Sequence, residues 1–351
     1  MAGLEPLVAE HPAVSYVMPV LNEAAYLADA VTAVLSQDYP GEQELVIALG
    51  ASTDATTQIA HRLAAGDARV VLVDNPANDI PVGLNKAIAA SKHPIVIRVD
   101  AHAELPPGYT GLMVQLLRET NAANVGGVMQ AQGRSPFQRA VARAYNSPWG
   151  LGGGQYHGAT EDGPADSAYL GVFRREVLDE VGGYDETMRR AEDWELNLRI
   201  REAGHLIWFT PRVKVGYWPR STPDALRRQM FATGAWRGHL VRLQGSTPLR
   251  YLPPPAAVLA LSLSVVVGLL QALGVLRGTP GLLASLVHLA PITYLGALKV
   301  VGFTSLRPRT LSEWVLNVVV LAIMHLSWGA GFISGWLKGA ASVVDRSRVT
   351  T

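Results

Sequence analysis

Ile95-Val-Ile-Arg-Val-Asp-Ala-His102 passes from an apolar, β-branched run straight into a carboxylate and an imidazole. Its first five residues read as a buried strand. Three comparable runs precede it: Val14-Ser-Tyr-Val-Met18, closed by Pro19, then Glu44-Leu-Val-Ile-Ala-Leu49 and Val70-Val-Leu-Val73. Helical spacing fills the gaps. Ala24 to Ser36 lines up Leu27, Val31, Val34 and Leu35. Ser52-Thr-Asp-Ala-Thr56 supplies capping side chains ahead of Ile59-Ala-His-Arg-Leu63, and Val82 to Ala90 follows. Strand–helix alternation with short connections predicts a mainly parallel sheet covered by helices. Ligands of such sheets bind at the carboxyl ends of the strands. Pro19–Glu23, Gly50–Asp54 and Asp100–His102 all fall there, so one cleft collects them.

Further along, Ala191-Glu-Asp-Trp-Glu195 opens a helix with adjacent carboxylates. A carboxylate and an imidazole suit a metal-bound phosphate, and a downstream acid suits a base. Together they point to group transfer from an activated phosphate donor. Asp100 and His102 are expected on one side of an extended strand end, where both can ligate Mn2+ or Mg2+, imidazole favouring manganese. His157, His205 and His239 have no such neighbour and read as surface or structural. The helix macrodipole alone accounts for acids such as Glu186 and Glu195.

Composition narrows the class. A net charge of +1 gives no electrostatic case for a nucleic-acid partner, and the absence of cysteine removes disulfides, thiolate zinc sites and cysteine nucleophiles. The start, Met1-Ala-Gly-Leu-Glu-Pro6, lacks the basic and apolar segments of a signal peptide, so the first half is expected in the cytoplasm. Character changes near Pro253-Pro-Pro255. Pro254 to Leu276 carries no charge, and its 23 residues would rise roughly 35 Å as a helix, enough to cross a bilayer core. Trp314 to Leu337 is a second uncharged run. Leu282 to Val301, interrupted by His288, Pro291 and Lys299, lies between them. Three spans are expected, with two as the alternative. With three, Arg307 and Arg309 fall on the cytoplasmic side, whereas Lys338, Arg346 and Arg348 fall outside, against the positive-inside rule.

Ahead of the spans, Thr222 to Gly245 reads as a helix with Leu226, Met230, Trp236, Leu240, Val241 and Leu243 on one face. Arg227, Arg228, His239 and Arg242 lie mostly opposite. It suits a membrane interface or the surface of the soluble half. The expected organisation is a catalytic domain over 1–221, the amphipathic helix and linker over 222–252, transmembrane helices over 253–340 and a tail over 341–351.

Taken in order, Val14-Ser-Tyr-Val-Met-Pro-Val-Leu-Asn-Glu23, Gly50-Ala-Ser-Thr-Asp-Ala-Thr56, Gly83-Leu-Asn-Lys-Ala87, Asp100-Ala-His102 and Gly182-Gly-Tyr-Asp-Glu186, followed by Glu192-Asp193, resemble glycosyltransferase family 2. The resemblance covers residues 12 to 240. Arg98-Val-Asp-Ala-His-Ala103 and the apolar tail resemble the branch that builds bacterial exopolysaccharides of the succinoglycan kind. The resemblance implies an α/β nucleotide-binding fold of the glycosyltransferase A type, followed by the transmembrane region, and an inverting, metal-dependent sugar transfer. It places Pro19, Asn22 and Glu23 near a uridine, Ser52, Asp54, Arg98, Glu192 and Trp194 among the substrate-binding residues, and Asp100 at the ribose or metal. Asp193 becomes the base that takes the acceptor proton, and Asp100 with His102 become the metal ligands.

Two positions depart from the family pattern. Leu49 and Gly50 stand where an acid ordinarily reads uracil, and His102 stands where the metal motif ordinarily ends in Asp. Gly150-Leu-Gly-Gly-Gly-Gln155 lacks the lysine and spacing of a phosphate loop and suits a flexible acceptor-side loop. Gln229 and Trp236-Arg237 miss the spacing of the Gln-x-x-Arg-Trp motif of processive synthases, which favours the addition of one or a few sugars. The expected activity is transfer from a nucleotide sugar, UDP-linked, to a polyprenyl-diphosphate-linked saccharide for cell-surface polysaccharide. The enzyme would be multi-pass in the cell membrane, with other polysaccharide-assembly proteins as further partners. Transfer to polyprenyl phosphate, processive polymer synthesis, and a non-catalytic nucleotide-binding membrane assembly or transport protein remain the alternatives.

Overall fold

A computed structural model describes residues 4–151, 160–188, 191–245, 247–340 and 343. His157, most of the glycine-rich 150–155 stretch, and Arg346 and Arg348 lie outside the described residues. The chain forms two compact units, residues 1–131 with 154–218 and residues 132–153 with 219–351.

The first unit is an α/β layer structure. In chain order it holds β1 (Val14–Val20), α1 (Leu27–Leu35), β2 (Gln43–Gly50), α2 (Thr56–Gly66), β3 (Val70–Asn75), α3 (Ile80–Ala90), β4 (Ile95–Arg98), β5 (Ala103–Glu104), α4 (Tyr109–Thr120) and β6 (Asn124–Ala131). The second unit supplies α5 (Pro136–Tyr145) and α6 (Pro148–Leu151). The first unit resumes with β7 (Gly163–Pro164), β8 (Tyr169–Arg174), α7 (Arg175–Val181), α8 (Glu192–Glu202) and β9 (Ile207–Tyr217).

The strands make one sheet in the order β3-β2-β1-β4-β8-β6-β9-β5, with β7 on β9. The four strands read from the sequence are parallel, with Tyr16 opposite both Leu45 and Ile97. The sheet then turns mixed, because β8 enters antiparallel between β4 and β6. Alternate residues supply two cores. Tyr16, Met18, Leu45, Ile47, Ile95 and Ile97 pack with α1 and α4 on one face. Val17, Val46, Ala48 and Val96 pack with α3, α7 and α8 on the other. Burial on both faces is why these strands read as continuous apolar runs. Each fully buried Leu or Ile contributes about 1.5–3 kcal/mol.

The second unit continues with α9 (Pro223–Gln244), α10 (Pro253–Ala272), α11 (Gly278–Ala284), α12 (Leu289–Thr304) and α13 (Leu311–Lys338). Three helical stretches, Leu249–Ala272, Gly278–Thr304 and Leu311–Lys338, are long and apolar enough to cross a membrane. The middle one is broken by a 3-10 turn over Ser285–His288, at the histidine that interrupts its sequence. α9 begins where Thr222 accepts a hydrogen bond from the Ala225 amide and ends at Gly245, in the left-handed region at φ 73°. Its apolar face, with Leu226, Met230 and Trp236 buried, is covered by α13. Glycines make that packing close. A Cβ on Gly335 would stand 1.8 Å from the Ala235 carbonyl oxygen, and one on Gly238 would stand 2.0 Å from that of Phe332.

Gly335→Leu therefore forces α9 and α13 apart. Overpacking of this kind typically costs about 1–3 kcal/mol, to be read as a lowered thermal midpoint of the full-length protein in detergent. Gly296→Ala, at a helical site with open space beside it, is the contrasting case and should be neutral or stabilising by up to about 1 kcal/mol.

Candidate active site

The loops after β1, β2 and β3 are laced together by side chains. Asn22 sits at φ 54°, a left-handed conformation that Asn tolerates. Its amide donates to Ser52 Oγ at 3.0 Å, and its Oδ1 accepts from the Thr53 amide at 2.8 Å. Asp54 accepts from the Thr56 and Ala24 amides at 3.0 and 3.3 Å. Burial raises the Asp54 carboxyl, but hydrogen bonds from Thr56 and Ala24 outweigh it and hold it below the ordinary carboxylate value. Asn78 Oδ1 accepts from the Ala51 amide at 2.7 Å and draws in the loop after β3. Asn22, Ser52 and Asp54, read as substrate-binding, thus brace one loop on the next. Pro19 lies half-buried inside β1, opposite Ala48.

Arg98, the last residue of β4, is the hub. It is 4% exposed, and its guanidinium contacts the Asp193 carboxylate directly. It also reaches Asp100 Oδ1 and Glu192 Oε1, each at 3.3 Å. One cation against three carboxylates leaves a local excess of negative charge, to which a divalent cation is attracted. Burial disfavours the Arg98 charge, but Asp193 and Asp100 foremost outweigh this and hold the guanidinium far above its ordinary range.

Asp193 stands in the first turn of α8. Ala191, its N-cap, has φ 62°, a conformation costing a non-glycine residue about 1–2 kcal/mol. Behind it, Asn197 Nδ2 donates to the Asp193 carbonyl at 2.7 Å, and Asn124 Nδ2 on β6 donates to Asn197 Oδ1 at 2.7 Å. Buried amides therefore set the height of the helix start. The Asp193 side chain is 32% exposed, so its carboxylate has an open side. Desolvation foremost, then the charges of Glu192 and Asp100, raise it from 3.8 to about 7, against the pull of Arg98. Glu192 is buried beside it, and Trp194 is half-buried one residue on. Glu195 is taken by Arg199 at 2.6 Å, a structural role. The preceding Gly182-Gly-Tyr-Asp loop is clamped by Asn85 of α3, whose side chain bonds the Tyr184 carbonyl at 2.8 Å and its amide at 2.9 Å.

His102 corrects one expectation. Asp100 and His102 come together through a tight turn, not along an extended strand: β4 ends at Arg98, and the Ala103 amide donates to the Asp100 carbonyl at 2.8 Å. The turn leaves His102 Nε2 3.9 Å from Asp100 Oδ2, while Nδ1 lies 3.1 Å from Glu23 Oε1. Among the described residues no group of three or more His, Cys, Asp or Glu forms a metal cage. Two protein donors with open positions fit a cation that shares its shell with phosphate oxygens and water, as Mg2+ and Mn2+ commonly do. His205 pairs with Glu180 at 2.8 Å, and His239 packs edge-on against Trp236.

Comparison with known proteins adds to this geometry. The profile of the family described as Glycosyl transferase family 2 matches residues 15–182. The succinoglycan biosynthesis protein ExoA of Rhizobium meliloti is 32% identical over 323 residues, covering 90% of this chain and 92% of ExoA. The chain belongs to glycosyl transferase family 2. A second relative is a Methanococcus voltae enzyme named dolichyl N-acetyl-alpha-D-glucosaminyl phosphate 3-beta-D-2,3-diacetamido-2,3-dideoxy-beta-D-glucuronosyltransferase. It is 23% identical, over 73% of this chain and 82% of its own. The mannosyltransferase PcManGT of Pyrobaculum calidifontis, solved with GDP-Man and Mn2+, shares the fold at a TM-score of 0.61 and 19% identity, over 95% of this chain and 90% of its own. The chain is thus a glycosyltransferase with the α/β fold that its motifs implied.

Within this family 2 site, Gly50 has a steric explanation. A Cβ there would lie 2.9 Å from Asn78 Oδ1 and 3.0 Å from Leu21 Cδ1, so an acidic side chain would have to displace the Asn78 carboxamide that holds the Ala51 amide. The hub role of Arg98 and the props Asn124 and Asn197 were missed in the sequence. A lone arginine in an otherwise apolar strand was the available signal, since a buried cation requires anions around it.

The raised Asp193 carboxyl gives a signed pH dependence. Only its ionised form accepts a proton, so kcat/KM should rise with pH through about 7 rather than near 3.8. For stability the sign is opposite. The folded state binds the proton more tightly, so this group's contribution is fully present below 3.8 and is lost as pH rises through about 7. Asp193→Asn should flatten that slope in thermal unfolding followed across the same interval.

Proposed function

We propose that this glycosyltransferase moves a sugar, with inversion, from a UDP-linked donor to a hydroxyl of a polyprenyl-diphosphate-linked saccharide in cell-surface polysaccharide synthesis. The observation that carries it is the open Asp193 carboxylate, raised toward neutrality by desolvation against the pull of Arg98, in the same cluster as Asp100 and beside the His102 turn. Asp193 takes the acceptor proton as the hydroxyl oxygen bonds to the anomeric carbon. The bond from that carbon to the donor diphosphate breaks on the opposite face, and the nucleoside diphosphate leaves with the electron pair. Asp100 and His102 would hold Mn2+ or Mg2+, which when bound neutralises the departing diphosphate. Glu23 would orient His102: a carboxylate beside Nδ1 favours the tautomer that leaves Nε2 free to ligate, an arrangement common behind metal-bound histidines. Pro19, Asn22, Ser52 and Asp54 shape the nucleotide end, and Glu192 and Trp194 flank the acceptor.

The acceptor class is supported by the relatives named for succinoglycan biosynthesis and for transfer to a dolichyl-linked sugar, and by the apolar helices that follow β9. The enzyme is multi-pass in the cell membrane, with its catalytic unit in the cytoplasm. A second reading changes only the base: glycine stands where the family pattern has the acid that reads uracil, and a fold neighbour was solved with GDP-Man, so the donor is GDP-linked.

A donor screen tests both. Full-length protein in detergent with Mn2+ should release nucleoside diphosphate from a UDP-sugar on the first reading and from a GDP-sugar on the second. Release from neither, with acceptor present, would refute the transferase role given to this site. With the active donor, Asp193→Asn should lower kcat by about 10²–10⁴ while donor binding changes little, and Glu192→Gln should cost much less.

The metal arm is separate. Glu23→Ala should weaken Mn2+ binding, measured by paramagnetic resonance, by about 10–100-fold. His102→Asp should shift preference from Mn2+ towards Mg2+. Unchanged metal profiles in both variants would exclude His102 as a ligand.

A further inference from the structure

We infer that the membrane takes only two of the three apolar stretches, α10 and the broken α11–α12, as a hairpin, and that α13 does not cross. The first observation is what covers α13. Along its first half, Arg143 of α5 donates from Nε to Asn317 Oδ1 at 3.0 Å and lies 3.9 Å from Glu313. At mid-length, His325 Nε2 lies 2.7 Å from the Trp149 carbonyl oxygen of α6. Over its last third the charged helix α9 lies against it. Gly331 and Gly335 meet the backbone at Phe231 and Ala235, and Arg242 donates to the Leu337 carbonyl at 3.0 Å. A bilayer around α13 would have to admit α9 with Arg227, Arg228, Arg237 and Arg242, and charged side chains are among the costliest groups to place in hydrocarbon.

The other two stretches are bare by comparison. Only 17% and 11% of their apolar windows are buried, against 39% for α13. Leu259, Leu263, Val266 and Leu269 on α10, with Ile292 and Leu295 on α12, point outward. Several polar groups of α10 are paired within the hairpin, which lowers the cost of placing them in hydrocarbon. Ser264 Oγ and His288 Nδ1 are 2.8 Å apart, and Gln271 Nε2 donates to the Gly281 carbonyl at 2.8 Å. The turn between them runs through Gly274 and Gly278, both at positive φ.

The second observation is charge, and it is independent of packing. If α13 crosses, Lys338, Arg346 and Arg348 lie on the face opposite Arg307 and Arg309. If only the hairpin crosses, all five share one face with Arg242 and Arg250, and Arg277 at the hairpin turn is left alone on the other. That is the positive-inside pattern which three spans violate.

The absence of cysteine makes the test direct, since any introduced thiol reports alone. Val275→Cys, Ser312→Cys and Ser347→Cys are made singly in the full-length chain. Each is treated with a membrane-impermeant maleimide, on intact spheroplasts and after lysis. Labelling of the Val275 variant in intact cells, with the other two labelled only after lysis, is expected. Labelling of the Ser347 variant but not the Ser312 variant in intact cells would show that α13 crosses and overturn the inference. So would a Val275 variant labelled only after lysis. Alkaline phosphatase fused after Thr351 gives a reading that needs no internal substitution: it should be inactive, and an active fusion overturns the inference.

Discussion

The site depends on one buried guanidinium. Arg98 draws Asp100, Glu192 and Asp193 to within contact of a single cation, although these residues come from two distant parts of the chain. Three carboxylates in so small a volume would repel one another without it. With it they are held as a cluster still two positive charges short of balance. Burial raises the Asp193 carboxyl first, the shortfall adds to it through Glu192 and Asp100, and the same shortfall attracts a divalent ion, so base strength and metal affinity share one arrangement. Removing Arg98 would leave the three carboxylates without their cation, and breaking a buried ion pair in this way typically costs about 3–5 kcal/mol. The hub is therefore also part of what holds β4 and α8 in place.

Much of the first unit was legible because its signals are local. The parallel strands β1 to β4 are continuous apolar runs, and the motifs at their carboxyl ends carry turn and capping chemistry in the sequence itself. The antiparallel entry of β8 was not legible, since nothing in Tyr169–Arg174 says which neighbours it takes or in which direction. The turn at Asp100–His102 was mistaken for extended chain because a two-residue spacing is common to both. The motif around Glu23 speaks only of a place near the nucleotide, and the fold adds the contact of its carboxylate with an imidazole 79 positions away.

The second unit shows a different limit. The amphipathic pattern of α9 predicts a helix whose face of Leu226, Met230, Trp236 and Leu240 is buried, although Leu243, expected on it, is exposed, and a hydrophobic face carries no statement of what buries it. Glycine was the overlooked clue. Gly234 and Gly238 on α9, with Gly331 and Gly335 on α13, lie one turn apart on their helices, the spacing that lets two backbones approach. Apolarity and length alone made α13 resemble α10, although the two have quite different surroundings.

The order in which the chain visits its two units has a practical consequence. It leaves the catalytic unit after Ala131, builds α5 and α6 in the helical unit, returns for β7, β8, α7, α8 and β9, and leaves again after Trp218. The units are interleaved, joined by three strands of backbone and not by a single linker. No one cut separates them. A truncation after β9 would keep α5 and α6 while removing α13, the helix they pack on. Loss of activity in such a fragment would then say nothing about whether the membrane is needed. Soluble versions of this enzyme have to be sought by replacing 132–153 as well, or by exchanging outward apolar residues of the hairpin while the rest of the helical unit stays intact.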